Sequence, residues 1–305
     1  MTSPRPVKVT IGVPVFNGGA SIELALRSAM AQDFADLEIL VVDNASTDET
    51  ESICLKLAKE DERLRYVRNP VNIGQNQNFA RVFDLSAGEY LRWMGDDDSL
   101  DSAYVDACVR VMDADPAVSV VTTNQRYIAQ DGTVHYEEYT GPRPTSVDPI
   151  ERLDVMLRLL SGSRLWIDPI YSLIRRSHLK QTPAVQPVRF GDEILACQLA
   201  LLGAYAHVDR ALATRRWEPL PQGAGALRRY TGTGTGPLQG FFLARAQRLI
   251  MLGHLWRSIS GIPGATTSTK AKGGVVLARY SGRLWARRAK RQIEKVQARI
   301  RPEST

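Results

Sequence analysis

Short runs of apolar and β-branched residues alternate with stretches of helical spacing through the first half of the chain. This alternation restricts the fold more than any other feature of the sequence. Val7–Val15 is rich in β-branched residues, and Ser21–Ala31 carries Ile22, Leu26 and Met30 at helical spacing. Leu37–Asp43 reads LEILVVD, the continuous apolar run expected of a strand buried on both faces. A helical pattern follows to Lys59, with Thr47 as its N-cap and Thr50 and Glu51 in its first turn. Arg63–Arg68 reads as a third strand, Gln75–Ser86 as a helix and Glu89–Met94 as a fourth strand. Asp101–Asp113 is again helical, and Val118–Thr123 is a further buried strand. The pattern predicts an α/β fold with a mainly parallel sheet and helices on both faces. In such sheets ligands bind beyond the C-terminal strand ends. The polar clusters fall there: Phe16-Asn17, Asp43–Asp48, Asn69–Asn78 and Gly95–Ser99.

Further along, Tyr127–Tyr139 contains an Asp131-Gly132 turn between β-like runs, which predicts a hairpin. Ile150–Leu160 and Asp192–Leu202 are helical, Asp168–Ile174 reads as a strand, and His207–Trp217 is extended. Pro219–Gly240 is rich in Gly, Thr and Pro and reads as a loop or linker. An apolar helix (Phe241–Ile259), a breaker region (Gly261–Gly274) and a basic helix complete the chain. The expected division is therefore a domain over 1–218, a linker over 219–240 and a helical basic extension over 241–305.

Hydrophobic residues make up 44% of the 305 and charged residues 24%, which allows a sizeable core and excludes wholesale disorder. Cys54, Cys108 and Cys197 form no CxxC pair, so a disulfide framework and a structural zinc site are excluded and buried thiols in a reducing cytoplasm are expected. The start of the chain has no apolar signal-peptide core, and no stretch reaches the ~18 apolar residues of a membrane span. The expected location is the cytoplasm, with peripheral placement at the inner face of the plasma membrane as a further option.

The most informative cluster is Gly95-Asp96-Asp97-Asp98, directly after the fourth strand. Adjacent carboxylates repel one another unless a cation sits among them. Hard ions such as Mn²⁺ or Mg²⁺ prefer oxygen ligands and bridge phosphate oxygens. The same residues also fit a solvated acidic turn in which Ser99 or Asp101 caps the next helix.

Taken together, the ordered motifs from Val7 to Trp217 resemble the family-2 inverting glycosyltransferases with the GT-A fold, a Rossmann-like nucleotide-diphospho-sugar transferase sheet. Pro14, Val15, Phe16 and Asn17 are similar to the family's first-strand signature, whose loop approaches the nucleotide base. Asp43, Asn44 and Ser46 lie in a segment similar to its second-strand signature, where an acidic side chain accepts a hydrogen bond from N3–H of uracil or thymine. Many members carry Asp where this chain has Asn44; an amide carbonyl can still accept that bond, without charge. Asn72, Gly74 and Asn78 resemble the segment lining the nucleotide pocket. The resemblance makes Asp97 the metal ligand, with Asp96 toward the ribose or diphosphate and Asp98 supporting the site or the acceptor; Asp96 and Asp98 are further candidates for the metal. Gly95 stands where many members have Asp. Asp192, with Glu193 as the alternative, occupies the position of the family's catalytic base, although first-turn acids also suit a helix dipole. Trp217 replaces a His that in many members reaches the metal or diphosphate, and Arg215 or Arg216 is the candidate to neutralise the diphosphate instead.

The implied activity is transfer of a sugar from a UDP- or dTDP-sugar to a hydroxyl of a glycan, lipid-linked or small-molecule acceptor, with inversion and a divalent ion. No G-x-S-x-G or catalytic Cys signature is present, and the four histidines lack HExxH spacing and are expected to be packed or superficial. A non-catalytic sugar-nucleotide-binding module is the alternative. Between Lys270 and Arg301 eleven basic residues face only Glu294. This basic amphipathic pattern fits either an anionic membrane surface or packing on the domain with a solvated basic face. No signature of nucleic-acid recognition accompanies it, so no nucleic-acid partner is expected.

Overall fold

Strands and helices alternate as β1 (Val9–Val15), α1 (Ile22–Met30), β2 (Leu37–Asp43), α2 (Thr50–Glu60), β3 (Leu64–Arg68), α3 (Gln75–Leu85), β4 (Tyr90–Trp93), β5 (Ser99–Leu100), α4 (Tyr104–Ala114) and β6 (Val118–Ile128). Then follow β7 (Val134–Glu137), α5 (Pro149–Leu160), a 3₁₀ turn at Pro169–Tyr171, β8 (Leu173–Arg175), α6 (Arg176–Leu179), α7 (Gly191–Leu202) and β9 (Ala204–Arg216). Two long helices, α8 (Pro237–Ser260) and α9 (Thr267–Ile300), end the chain. This computed structural model describes residues 7–129, 131–161, 169–185, 188, 190–216 and 237–300. Asp168, Trp217 and residues 219–236 of the expected linker lie outside the described residues.

The sheet runs β3-β2-β1-β4-β8-β6-β9-β5, with β7 paired to β6. β1 to β4 are parallel neighbours, β8 is antiparallel to both β4 and β6, and β6 and β9 are parallel again. The doubly buried character of LEILVVD has a direct cause. Ile39 and Val41 point into a core shared with α1, α2 and α4, while Leu40 and Val42 point into one shared with α3, α5 and α7. Cys54, Cys108 and Cys197 are free and buried, and burial pushes the Cys54 and Cys108 thiols up to about 12.

Several expectations are corrected. The N-cap position before α2 is not Thr47: the helix begins at Thr50, whose backbone N–H donates to Asp48 Oδ1 at 3.1 Å, and Thr47 N–H is drawn away to Asn17 Oδ1 at 2.8 Å. The strand read over Asp168–Ile174 is a 3₁₀ turn followed by the short antiparallel β8. The breaker region is shorter than Gly261–Gly274, because α9 already starts at Thr267. Gly273 sits inside that helix where a Cβ would stand 2.8 Å from Ile259 of α8, so close helix packing overrides the low helix propensity of glycine. Residues 237–240 of the expected linker belong to α8. The hairpin at Asp131-Gly132 forms as expected, with Gly132 at φ +82° and Thr133 N–H donating to Asp131 Oδ1.

The C-terminal helices share the core of the sheet. Met251, Leu255 and Ile259 of α8 and Val276, Leu277 and Tyr280 of α9 are buried in the same apolar cluster as α5 and α7. Among the described residues no helix is long and apolar enough to cross a membrane.

Gly88 precedes β4 where a Cβ would stand 2.5 Å from Thr10 N and 2.6 Å from Tyr90 O, both backbone atoms. Gly88→Ala should therefore prise β1 from β4 and lower stability by roughly 1–3 kcal/mol, read as a reduced urea midpoint at unchanged far-UV circular dichroism.

Candidate active site

The C-terminal ends of β1, β2 and β4 open onto a polar cavity of about 460 Å³. Pro14, Val15, Phe16, Asn44, Asn72, Gly74, Asn78, Asp96 and Asp97 line it, so most of the residues singled out in the sequence converge. Gln75, Phe79, Gly95 and Tyr171 complete the wall. Gln75 and Phe79 sit on the first turns of α3 and could have been read from the motif before them. Tyr171 lies far along the chain in the 3₁₀ turn, and no local pattern marked it.

Asn17, Asp43, Ser46 and Asp98 do not line the cavity but brace it. Asp43 is fully buried, and its carboxylate accepts four hydrogen bonds: from Ser46 N (2.8 Å) and Oγ (2.6 Å), Tyr66 Oη (2.6 Å) and Arg68 Nη1 (3.0 Å). Its oxygens hold the β2 loop against β3. Asn17, at φ +56°, ties the β1 loop to the same segment through Ser46 Oγ and Thr47 N. Asn44 reaches the wall instead. Its Oδ1 accepts from Ile73 N at 2.9 Å and Asn69 Nδ2 at 3.1 Å, and its Nδ2 donates to Asn72 Oδ1 at 2.8 Å. Asn78 Nδ2 donates to Val42 O, which pins α3 to the end of β2. Four asparagines (Asn44, Asn69, Asn72 and Asn78) therefore form one neutral amide network behind this half of the cavity.

The acidic triplet divides. Asp98 turns inward, is 2% exposed, and is held by Gly95 N at 3.2 Å and Arg215 Nε at 3.4 Å. Burial pushes its carboxyl up, and the Arg215 and Arg92 charges oppose that shift. Arg92 itself is wholly buried in β4, stacked 4.7 Å from the Tyr104 ring centre. Asp96 and Asp97 face the cavity. Burial first, and then the Asp97 and Asp98 charges, push the Asp96 carboxyl up to about 6. Two glycines make room for this crowding. A Cβ on Gly95 would stand 3.0 Å from Asp97 Oδ1 and from Asp98 Oδ2, and one on Gly18 would stand 2.5 Å from Asp96 Oδ2.

Among the described residues no three His, Cys, Asp or Glu side chains are grouped to hold a metal by themselves. The donor set still fits a divalent ion that shares its coordination with a phosphate ligand. Such ions are commonly held by one or two carboxylates plus phosphate oxygens, and Asp96 and Asp97 supply two hard, mutually repelling carboxylates on an open wall.

Asp192 and Glu193 open α7, where Asp192 is exposed and its Oδ1 accepts from Glu193 N at 2.9 Å. They do not line the cavity; α7 packs against the 3₁₀ turn that carries Tyr171. Arg215 is held between Asp98 and Tyr171, its guanidinium 3.9 Å from the ring centre, whereas Arg216 is exposed. His178 and His207 are tied into the scaffold by Ser119, and by Thr122 and Asn124.

Residues 10–181 match the model of glycosyl transferase family 2, which is more than half of the chain. The chain belongs to that family. Similar proteins include the GalNAc(5)-diNAcBac-PP-undecaprenol beta-1,3-glucosyltransferase of Campylobacter jejuni, 29% identical over 64% of this chain and 58% of that one. Another is glycosyltransferase GlyG of Streptococcus pneumoniae, 22% identical over 64% of this chain and 66% of that one. The chain thus spans less than two thirds of either relative. Residues 1–349 of TarS from S. aureus, solved with UDP-GlcNAc, superpose with a TM-score of 0.66 at 17% identity, covering 92% of this chain and 73% of that one. The mannosyltransferase PcManGT of Pyrobaculum calidifontis, solved with GDP-Man and Mn²⁺, gives 0.52 at 19% identity over 92% and 83%. These likenesses establish the GT-A fold, with its nucleotide-diphospho-sugar transferase sheet, for the family 2 chain.

Removal of the Asp43 carboxylate would leave Arg68, Tyr66 and Ser46 without their acceptor. Asp43→Ala should lower stability by roughly 2–3 kcal/mol, measured by chemical denaturation.

Proposed function

We propose that this family 2 glycosyltransferase moves a hexosyl group from a nucleoside-diphosphate sugar to an acceptor hydroxyl, with a divalent ion and inversion of the anomeric centre. The observation that carries the reading is that Asp96 and Asp97 line one cavity together with Asn44 and Asn72 of the amide network and the exposed Phe16 ring. The carboxylates suit an ion with a diphosphate, and the amides and the ring suit an aromatic, hydrogen-bonding base.

UDP- and dTDP-sugars are the favoured donors on the second-strand motif, with Asn44 and Asn72 at the pyrimidine and Pro14 and Val15 along the same wall. TarS with UDP-GlcNAc supports a uridine donor by analogy; the GDP-Man complex of PcManGT keeps guanosine in the screen. Glycan, lipid-linked sugar and small-molecule acceptors all offer the required hydroxyl, and the undecaprenol-linked substrate in the name of the C. jejuni relative favours the second. Asp97 is assigned as the ligand of Mn²⁺ or Mg²⁺, with Asp96 beside it toward the ribose or diphosphate. An ion held there by Asp97 would supply positive charge to offset that of a departing diphosphate. The residues of the chain do the rest. Asp192, or Glu193 beside it, accepts the acceptor's hydroxyl proton as its oxygen bonds to the anomeric carbon, and the bond to the nucleoside diphosphate breaks with the electron pair leaving on phosphate oxygen. A single displacement of this kind needs no covalent enzyme intermediate.

A thermal-shift screen of nucleotide sugars with and without Mn²⁺, followed by transfer assays, tests the assignment. Asp97→Ala is expected to abolish the metal-dependent part of donor stabilisation; metal dependence equal to wild type would remove Asp97 from its role. Asp192→Asn is expected to keep donor binding and to slow transfer by about 10²-fold or more. Full activity in that variant would move the base to Glu193 or elsewhere. Donor stabilisation without any turnover would mark a sugar-nucleotide-binding module instead.

A further inference from the structure

The last helix carries apolar residues on two different faces, and only one of them packs on the domain. α9 turns Val276, Leu277 and Tyr280 inward against α5 and α8, each at most 7% exposed. Leu284 continues this inner face. Ion pairs of 3.6 Å from Arg283 to Asp154 and 3.7 Å from Lys272 to Asp148 border it. At about 100° per residue, the positions farthest from the inner face are Ala271, Val275, Ala278, Arg279, Gly282, Trp285 and Ala286, with Gly274 at the edge toward α8. Val275 is 50% exposed and Trp285 77%, and a Cβ on Gly282 would meet nothing within 4 Å.

α8 extends the same outward surface. Trp256, 44% exposed, lies beside Gly274, where a Cβ would stand 3.6 Å from its ring. Gly274 and Trp285 are three helical turns apart along one stripe, about 16 Å in length. Leu249, 70% exposed, precedes Trp256 by two turns on the same side of α8.

Charge says what covers this surface. The stripe is an apolar band flanked by cations of one sign, since Lys270 to Arg301 holds eleven basic residues against Glu294. A second copy of the chain would bring the same positive flank against it and be repelled. A surface that is apolar beneath and anionic above is complementary: indoles settle at the interface and Lys and Arg reach the headgroups. We infer that the outward face of α8 and α9 rests on an anionic lipid bilayer, with Trp256 and Trp285 in the interface and the basic flanks on the lipid phosphates. This inference is independent of the donor and of the reaction assigned above.

The test uses the full chain and vesicles of phosphatidylcholine alone or mixed with phosphatidylglycerol, at low and high salt, read by co-sedimentation. Binding to the anionic vesicles only, weakened by salt, is the expected result. Trp285→Ser and Val275→Glu, both at exposed positions, reduce it, and Arg279→Glu weakens it by about fivefold or more. Leu24→Ser, at an exposed position on α1 (61%), leaves it unchanged. All four variants should melt like the wild type. No vesicle binding, equal binding to neutral and anionic vesicles, or wild-type binding by both Trp285→Ser and Val275→Glu would overturn the inference. So would a salt-sensitive affinity for duplex DNA or RNA that exceeds the affinity for vesicles and ignores Trp285→Ser, which would assign the basic flanks to nucleic acid.

Discussion

Repulsion among Asp96, Asp97 and Asp98 at the tip of β4 governs how the candidate site is built. Three carboxylates in succession cannot share one pocket without counter-charge, and the chain separates them. Asp98 is turned inward and set against Arg215, with the buried Arg92 charge behind it. Asp96 and Asp97 are left facing the cavity. The absent side chains of Gly95 and Gly18 follow from the same crowding, because a Cβ at either position would meet a carboxylate oxygen at 3.0 Å or less. Arg215 also stacks on Tyr171, so the counter-charge that quiets Asp98 positions part of the cavity wall.

The remaining residues that line the cavity are neutral. Asp43, behind them, is bonded to Ser46, Tyr66 and Arg68 and ties the β2 loop to β3. What remains toward the cavity is amide, backbone and ring: Asn44, Asn72, Gly74 and Phe16. The cavity therefore combines an acidic pair with neutral amides and a ring. A nucleotide sugar has the matching asymmetry, with a diphosphate that calls for a cation and a base that calls for hydrogen bonds and a flat surface.

α8 and α9 play two parts because their apolar residues lie on two faces. Met251, Leu255, Val276 and Tyr280 extend the core already formed by α5 and α7. Val275, Trp256 and Trp285 remain outside. Of the two readings of the basic helix open from sequence, packing on the domain describes its inner side, and the proposed lipid contact concerns its outer side.

Much of the fold was legible because its signals are local. LEILVVD is buried on both faces wherever it is placed in a helix-covered sheet, and the hairpin at Asp131-Gly132 needs only a glycine at positive φ. The ordered motifs at the strand ends also placed most of the cavity wall, since a parallel sheet gathers those ends on one edge. The failures share a cause. Thr47 stands before the helix, tied by its N–H to Asn17, thirty residues earlier, and the Thr50 N–H goes to Asp48. Gly273 is helical because Ile259 packs where its side chain would be. By itself, then, the sequence determined the alternation, the sheet's edge chemistry and the family. Which carboxylates face the cavity, that Asp43 ties the β2 loop to β3, that Tyr171 joins the wall, and which side of α9 stays outward were decided only in the tertiary structure, because each depends on partners brought together from distant parts of the chain.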